Sequence, residues 1–270
     1  MPRREKVSKT ITDNQRGDLT AIFVSELGIL SSSEADAIEH KLGAFRKDIR
    51  KFLSEYKFQT LTNAFGILDL EKFYREVLGM EVSLADIRIP EAEDDFSRAL
   101  VIHKDLSKRF NGEPIEGLFQ IAKSRFGAWK YASDSLDKAV PTNERHPMSG
   151  SYAILVRDRV EADEENANLS ANDIAARGTM NTETVLERIF HELFHHWKTG
   201  KHLDEKNWTL CSGSRNSDGN VPNANWNDDK FNVNWYNPTN RNPNLRPRSL
   251  QSFTCLVEDL LYTVPNLKLP

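Results

Sequence analysis

A short pattern in the second half of the chain has the residue types and spacing of a zinc-dependent hydrolase. His191 and His195 enclose Glu192 in the run HELFH. On a helix, two histidines one turn apart can bind one Zn²⁺, and the glutamate can activate a metal-bound water. One interpretation is therefore a metallohydrolase with Zn²⁺ as cofactor, His191 and His195 as metal ligands, and Glu192 as general base.

The geometry of the predicted helix argues for a different interpretation. At about 100° per residue, the apolar side chains share one face: Leu186, Phe190, Leu193 and Trp197. His191 and His195 fall on the opposite side, so we expect them to be exposed to solvent. Gly200 and His202 come too late to complete the longer HExxHxxGxxH pattern. The preferred expectation is no metal and no catalytic residue here, with the zinc hydrolase kept as the alternative.

A second pattern is an unusual concentration of asparagine. Eleven asparagines lie between residues 216 and 244: Asn216, Asn220, Asn223, Asn225, Asn227, Asn232, Asn234, Asn237, Asn240, Asn242 and Asn244. In two segments they alternate with apolar residues, namely Ala224 and Trp226, then Phe231, Val233 and Trp235. Strand side chains alternate between faces, so the apolar residues should enter a core and the asparagines should share one surface.

Asparagine is a poor strand former and a good turn former, so selection for stability does not explain an exposed strand face made of it. The eleven asparagines are therefore the candidate ligand-binding residues. A few of them, such as Asn237 and Asn240 beside Pro238, also suit turns.

Motifs spread over residues 95 to 250 are similar to those of a known family. They are Phe126-Gly-Ala-Trp-Lys-Tyr-Ala, Ser151-Tyr-Ala-Ile-Leu-Val-Arg-Asp-Arg, Leu186-Glu-Arg, Thr199-Gly-Lys-His-Leu-Asp, Thr209-Leu-Cys-Ser-Gly-Ser-Arg, Asp218-Gly-Asn-Val-Pro and Leu245-Arg-Pro-Arg. Together with the asparagine segment, they resemble the bacterial variable proteins of diversity-generating retroelements. In that family an error-prone reverse transcriptase substitutes at adenines, so Asn codons of the form AAY are hypermutable.

The resemblance implies a fold and a function. The fold is a C-type-lectin-like domain related to the formylglycine-generating enzyme, with a variable region at about residues 213–248. The function is binding of an unknown macromolecular or cell-surface ligand, without catalysis. The implied scaffold residues are Gly213, Ser214, Arg215, Trp226, Trp235, Leu245, Arg246 and Arg248. The chain departs from the family at HELFH, where relatives carry a Tyr-Glu-Leu-Lys-like run, and in a tail beyond residue 250.

The order of the predicted elements indicates an α+β fold. Helical spacing at 33–80 predicts an α-helical extension over residues 1–90, followed by a domain at 95–250 and a tail of unknown role at 251–270. Within the domain we expect strands at 99–103 and 152–156 and a helix at 118–129. A further helix should begin after Thr184, which forms a capping box with Glu187, and end at Gly200.

Composition limits the class of protein further. The 270 residues carry a formal net charge of −4 and contain no run of about 20 apolar residues. We therefore expect no nucleic-acid partner and no membrane span. Without a signal-type apolar run at the start, the cytoplasm is the default location. Cys211 and Cys255 should be free thiols, and the sequence leaves the oligomeric state open.

Overall fold

The computed structural model describes residues 67–84, 95–178 and 181–254. Most of the helical segment predicted at 33–80, most of the tail at 251–270 and Cys255 lie outside the described residues. Cys211 is a free, buried thiol, as expected.

Helices and strands alternate along the described chain. The helices are α1 (Ile67–Leu78), α2 (Asp105–Arg109), α3 (Pro114–Phe126), α4 (Leu136–Ala139), α5 (Ala171–Arg177) and α6 (Val185–Thr199), with 3-10 turns at Pro147–Ser149 and Glu164–Asn166. The strands are β1 (Arg98–Ile102), β2 (Ala128–Lys130), β3 (Thr142–Asn143), β4 (Tyr152–Val156), β5 (Trp208–Leu210), β6 (Ser214–Arg215), β7 (Val221–Asn227), β8 (Lys230–Tyr236), β9 (Leu245–Arg246) and β10 (Leu250–Thr254). The fold is mixed α+β, which confirms the predicted class.

The strands form three sheets. An antiparallel sheet has the order β1-β4-β10, and a mixed five-stranded sheet has the order β2-β8-β7-β5-β9. β3 and β6 form a small third pair. β1 and β4 are buried along their whole length, which is why both read as continuous apolar runs in the sequence.

The limits of α6 are set by local contacts. Thr184 Oγ1 accepts a hydrogen bond from the backbone N–H of Glu187, whose carboxylate accepts one from the N–H of Thr184. Gly200 ends the helix in the left-handed conformation, at φ 70°. The predicted capping box and C-cap are therefore confirmed. Leu186, Phe190 and Leu193 are buried, as expected of the apolar face.

Helix α1 packs against α6 and the first sheet. The Phe73 ring lies 5.1 Å from that of Phe190 and 5.2 Å from that of Phe194, both edge-on. The Tyr74 hydroxyl donates to the carbonyl of Val101 at 2.8 Å. This helix thus shares one hydrophobic core with the sheets. The domain boundary at 90–95 stays a prediction.

A tight turn joins β7 to β8. Asp228 and Asp229, the two residues between the paired ends of these strands, have positive φ angles of 52° and 54°. Two positive φ angles characterise the type I′ turn, whose twist suits a two-residue hairpin. Ala224, Phe231 and Val233 are buried in the core, as the alternation predicted.

Among the helices of the described segments, none is long and apolar enough to cross a membrane.

Candidate functional site

The β7–β8 pairing brings five asparagines onto one face of the five-stranded sheet. Its register places Asn223 opposite Asn234 and Asn225 opposite Asn232, with Asn227 at the hairpin end. We call these five residues the Asn surface. Asn227 and Asn234 are exposed, Asn225 and Asn232 are half-buried, and Asn223 is buried. The predicted separation of apolar and asparagine faces is confirmed in both strands.

One end of this face is covered and the other is open. Val221 of β7, Leu210 of β5 and Leu245 of β9 pack with Ile174 of α5 in a small apolar cluster. Neither α5 nor its cluster reaches the hairpin end, where Asn227 is exposed. The fold therefore fixes one end of the sheet face and leaves the asparagine end accessible.

Hydrogen-bonding capacity remains unused on this surface. Asn223 is only 4% exposed, and its Nδ2 has no hydrogen-bond partner among the described residues. Leaving a buried donor unpaired costs about 1–3 kcal/mol. The Asn232 Nδ2 donates to the carbonyls of Asn227 and Lys230, at 2.9 and 3.0 Å, which holds that carboxamide over the turn.

The asparagines before β7 form a turn. The Asn216 Oδ1 accepts from the backbone N–H of Asp218 at 3.0 Å and from that of Asn220 at 2.8 Å. Asn216 is buried, whereas Asn220 is half-buried. Such contacts are the usual structural role of asparagine in turns.

The remaining four asparagines lie in the loop after β8. Asn237 and Asn242 accept from the backbone two residues further on, at Thr239 and Asn244. The Arg241 guanidinium holds the loop by a bidentate pair with Asp173. The loop is thus built by asparagines and anchored at the start of α5, while Asn237, Asn240 and Asn244 stay exposed.

Two aromatic residues that sequence reasoning missed extend the Asn surface. The predicted helix at 118–129 ends at Phe126, because Gly127 turns the chain at φ 84° into β2. β2 runs parallel to β8 with Trp129 opposite Asn232, so the Trp129 side chain shares the Asn face. Tyr131 continues the ladder through its N–H to the Val233 carbonyl at 2.9 Å. The two side chains are 44% and 63% exposed.

The alternation of Ala128, Trp129, Lys130 and Tyr131 is the sequence signal that could have indicated this strand.

The prediction that the HELFH histidines face solvent is wrong. His191 and Glu192 are fully buried and His195 is 4% exposed. Arg98 of β1 contacts His191, and Asp204 contacts Arg188 on the same helix. Neither Arg98 nor Asp204 belongs to α6, so the helical pattern does not indicate these contacts. The polar face of α6 is therefore buried as well, and charged side chains from other parts of the chain pack against it.

The residues present do not fit a zinc site. Arg98 Nη1 lies 2.7 Å from His191 Nε2 and 3.2 Å from His195 Nδ1. A guanidinium only donates, so both imidazole nitrogens accept, and the lone pairs that would bind a metal are engaged by a cation. The proton of His191 then lies on Nδ1, which donates to Glu183 Oε1 at 2.8 Å. We derive no metal chemistry from this arrangement.

Glu192 is held by an ion pair with Arg188 and by a hydrogen bond with His202. Its Oε2 accepts from Arg188 Nη1 at 2.9 Å, and its Oε1 lies 2.8 Å from His202 Nδ1. Arg188 also pairs with Asp204, which in turn accepts from Arg248 at 2.6 Å. Glu192 thus holds the helix to the following loop, and Asp204 links that loop to Arg248, which follows β9.

Burial controls protonation in this cluster. Burial, together with the Arg98 guanidinium, lowers the pKa of His191 and lowers the pKa of His195 to about 4. Burial raises the pKa of Glu183 to about 8. At neutral pH these three groups are uncharged. The charges of the ion pairs around them balance: Arg98, Arg188 and Arg248 against Asp158, Glu192 and Asp204.

Comparison of the chain with protein-family models, with curated proteins and with solved structures gives no match.

Proposed function

We propose that this chain is a ligand-binding protein whose Asn surface and 237–244 loop form a diversifiable recognition surface. The observation that carries the proposal is the sorting of side chains in β7 and β8. The apolar residues of both strands enter the core, while the asparagines line one accessible face. The resemblance to the variable proteins of diversity-generating retroelements offers a reason for the asparagines on that face, because Asn codons are hypermutable in that family.

A fixed frame around the surface supports this role. A Cβ at Gly213 would lie 3.0 Å from the Thr182 carbonyl oxygen, so this position tolerates no side chain without a shift. Ser214 Oγ accepts from the N–H of Val185 at 2.9 Å, which ties the strand before the surface to the start of α6. Arg248 is buried and paired with Asp204. Substitution can then change the displayed face without changing the frame.

The asparagine-coded form should bind weakly. Asparagine offers hydrogen bonds but little apolar area, and interface affinity comes mainly from a few desolvated aromatic or arginine side chains. Substitution by tyrosine or tryptophan adds apolar area at low cost in side-chain entropy. Diversified forms should therefore include tighter binders than the form described here.

A display experiment tests the proposal. Exposed and half-buried positions of the surface would be randomised together: Asn225, Asn227, Asn232, Asn234 and Asn240. A matched library would randomise exposed or half-buried positions elsewhere: Gln120, Lys138, Met148, Val160 and Lys201. Selection on unrelated protein and glycan targets should enrich binders from the first library only. Equal enrichment from both, or none from the first, contradicts the proposal.

The surrounding DNA gives an independent test. We expect a reverse-transcriptase reading frame near this gene and a near-copy of the segment encoding residues 213–248 that differs only at adenines. Absence of both would remove the retroelement as the source of variation, although binding by the surface would still be tested by the libraries.

A further inference from the structure

The exposed aromatic pair beside the Asn surface has no role in the hydrophobic core. The Trp129 and Tyr131 rings lie 6.1 Å apart, tilted by 50°. They are two of the four large hydrophobic side chains that are exposed in the described part of the chain. Both lie on the same sheet face as the asparagines, on the strand next to β8. The rings and the carboxamides therefore form one continuous surface.

The opposite side of β2 is fixed. The Lys130 ammonium, which points away from the two rings, contacts Glu116 Oε2 at 2.6 Å and the Asp134 carbonyl at 2.8 Å. It also lies 5.4 Å from the centre of the Phe119 ring. These contacts hold β2 on α3, so Trp129 and Tyr131 keep their outward direction without a bound partner. Such a preorganised pair loses little freedom on binding.

The polar part of the surface has the chemistry of a neutral, hydroxyl-rich ligand. Asn225 and Asn232 are half-buried and Asn234 is exposed, so solvent reaches all three carboxamides. Each carboxamide both donates and accepts, which matches a hydroxyl group. The row from Asn223 and Asn234 to the two rings carries no charged side chain; the nearest charge on this face is Lys230 at the hairpin end.

We propose that Trp129 and Tyr131 are constant ligand-contacting residues and that the asparagine-coded surface binds a neutral oligosaccharide. The inference rests on the proposed function and names its ligand class. The two rings stack on the C–H faces of sugar residues, while the accessible carboxamides of Asn225, Asn232 and Asn234 exchange hydrogen bonds with hydroxyl groups. Because the rings lie outside the asparagine segment, they serve every diversified form of the surface.

Calorimetric titration of the full-length protein tests the proposal. The probes are neutral hexasaccharides of glucose, mannose, galactose and N-acetylglucosamine, with a hexasaccharide of galacturonic acid as the charged comparison. We expect at least one neutral probe to bind in the millimolar to micromolar range and the charged probe to bind at least tenfold more weakly. Binding of no neutral probe, or preferred binding of the charged one, overturns the proposal.

Variants test the aromatic pair. Trp129→Ala and Tyr131→Ala should each weaken oligosaccharide binding at least tenfold, whereas Trp129→Phe should retain most of it. Met148→Ala, an exposed control away from this face, should leave binding unchanged. Unfolding midpoints equal to that of the parent show that the fold is kept. Binding that is insensitive to both alanine variants overturns the role of the pair.

Failure of this inference can be told apart from failure of the proposed function. If library binders arise at the asparagine positions but tolerate Trp129→Ala and Tyr131→Ala, the surface diversifies without the aromatic pair. If all selected binders recognise proteins and no glycan binds, the ligand class is wrong and the diversifiable surface stands.

Discussion

At the residue scale, the charged face of α6 shows that a sequence motif and a site are different things. His191 and His195 have the zinc-binding spacing, yet both accept hydrogen bonds from Arg98. Arg98 precedes His191 by 93 residues. Nothing within the helix indicates that a guanidinium, rather than a metal ion, lies between the two rings. The same motif thus becomes part of a buried ion-pair network.

Replacing Arg98 tests whether its guanidinium keeps a metal ion from binding to the two histidines. The purified parent should contain no stoichiometric zinc, because the lone pairs of both histidines are engaged. Arg98→Gln removes the positive charge and should increase zinc affinity. Elemental analysis after dialysis against zinc measures both, with circular dichroism to confirm folding. One zinc per chain in the parent, lost in His191→Ala, would instead support the hydrolase.

Breaking the network at Asp204 should be costly. Asp204 pairs with both Arg188 and Arg248 in the interior, and removing one partner of a buried pair costs about 3–5 kcal/mol. Asp204→Ala should lower the free energy of unfolding by about that amount in urea titrations. The control is Glu165→Ala, which removes an exposed pair with Arg159 worth about 0–1 kcal/mol. Similar losses in both variants would contradict the arrangement.

The lowered histidine pKa values predict acid sensitivity. In the native state the pKa of His195 is about 4, against 6.5 when unfolded, so between these values the unfolded chain binds the extra proton. Stability should therefore fall as the pH falls from about 6.5 to 4. Glu183 acts in the opposite direction, because its native pKa of about 8 favours the folded state at lower pH.

The contribution of His195 is isolated by comparing the parent with His195→Gln, which can still accept from Arg98 but does not titrate. When the pH is lowered from 7.5 to 5.0, the free energy of unfolding should fall less in the variant than in the parent. An equal fall in parent and variant would show that His195 has the same pKa in the folded and the unfolded state.

At the element scale, the β7–β8 hairpin determines which asparagines are available. The turn and strand register place Asn225, Asn227, Asn232 and Asn234 on the accessible part of one face. Asn223 shares the face but is buried beside the apolar cluster. The eleven asparagines thus divide into displayed, buried and turn-forming residues, a division that composition alone cannot make.

This division predicts unequal tolerance to substitution. Asn216→Ala removes the acceptor of two backbone N–H groups and should cost about 1–2 kcal/mol. Asn240→Ala, at an exposed position of the loop, should change stability by less than about 0.5 kcal/mol. Thermal unfolding of the two variants measures the difference. Equal effects would contradict the assignment of Asn216 to a structural turn.

The hairpin turn itself can be improved. Asp229 has φ 54°, a region that glycine adopts without a steric penalty. Asp229→Gly should stabilise the protein by up to about 1 kcal/mol. Asp218→Gly, at an exposed residue outside the positive-φ positions, is the control and should give no gain. A loss of stability in Asp229→Gly would show that the turn is not of type I′.

At the scale of the whole molecule, one core joins α1, α6 and the sheets. The Phe73 ring contacts those of Phe190, Phe194 and Trp197, so a helix that the sequence places in an extension contributes to the main core. The Asn surface lies on the far side of the five-stranded sheet from this core. The core can therefore remain constant while the surface varies.

Phe73→Ala tests whether α1 is integral to the fold. Loss of a buried phenylalanine typically costs about 3–5 kcal/mol, and we expect this loss in a single cooperative transition. The exposed Val160→Ala is the control and should change stability by less than about 0.5 kcal/mol. A separate early transition in Phe73→Ala would show instead that α1 unfolds independently.

The sequence alone determined what depends on neighbours along the chain. The limits of α6 follow from Thr184, Glu187 and Gly200, whose capping hydrogen bonds lie within their own helix. The two faces of β7 and β8 follow from strict alternation, because strand geometry itself has a period of two. The α+β class follows from the order of such elements.

Only the tertiary structure decided which polar side chains are buried and which aromatic side chains are displayed. His191 is buried because Arg98, from a distant strand, donates a hydrogen bond to its ring. Trp129 joins the Asn surface because β2 pairs in parallel with β8, about a hundred residues later in the chain. Both outcomes depend on partners far away in sequence, and helical or strand periodicity describes one element at a time.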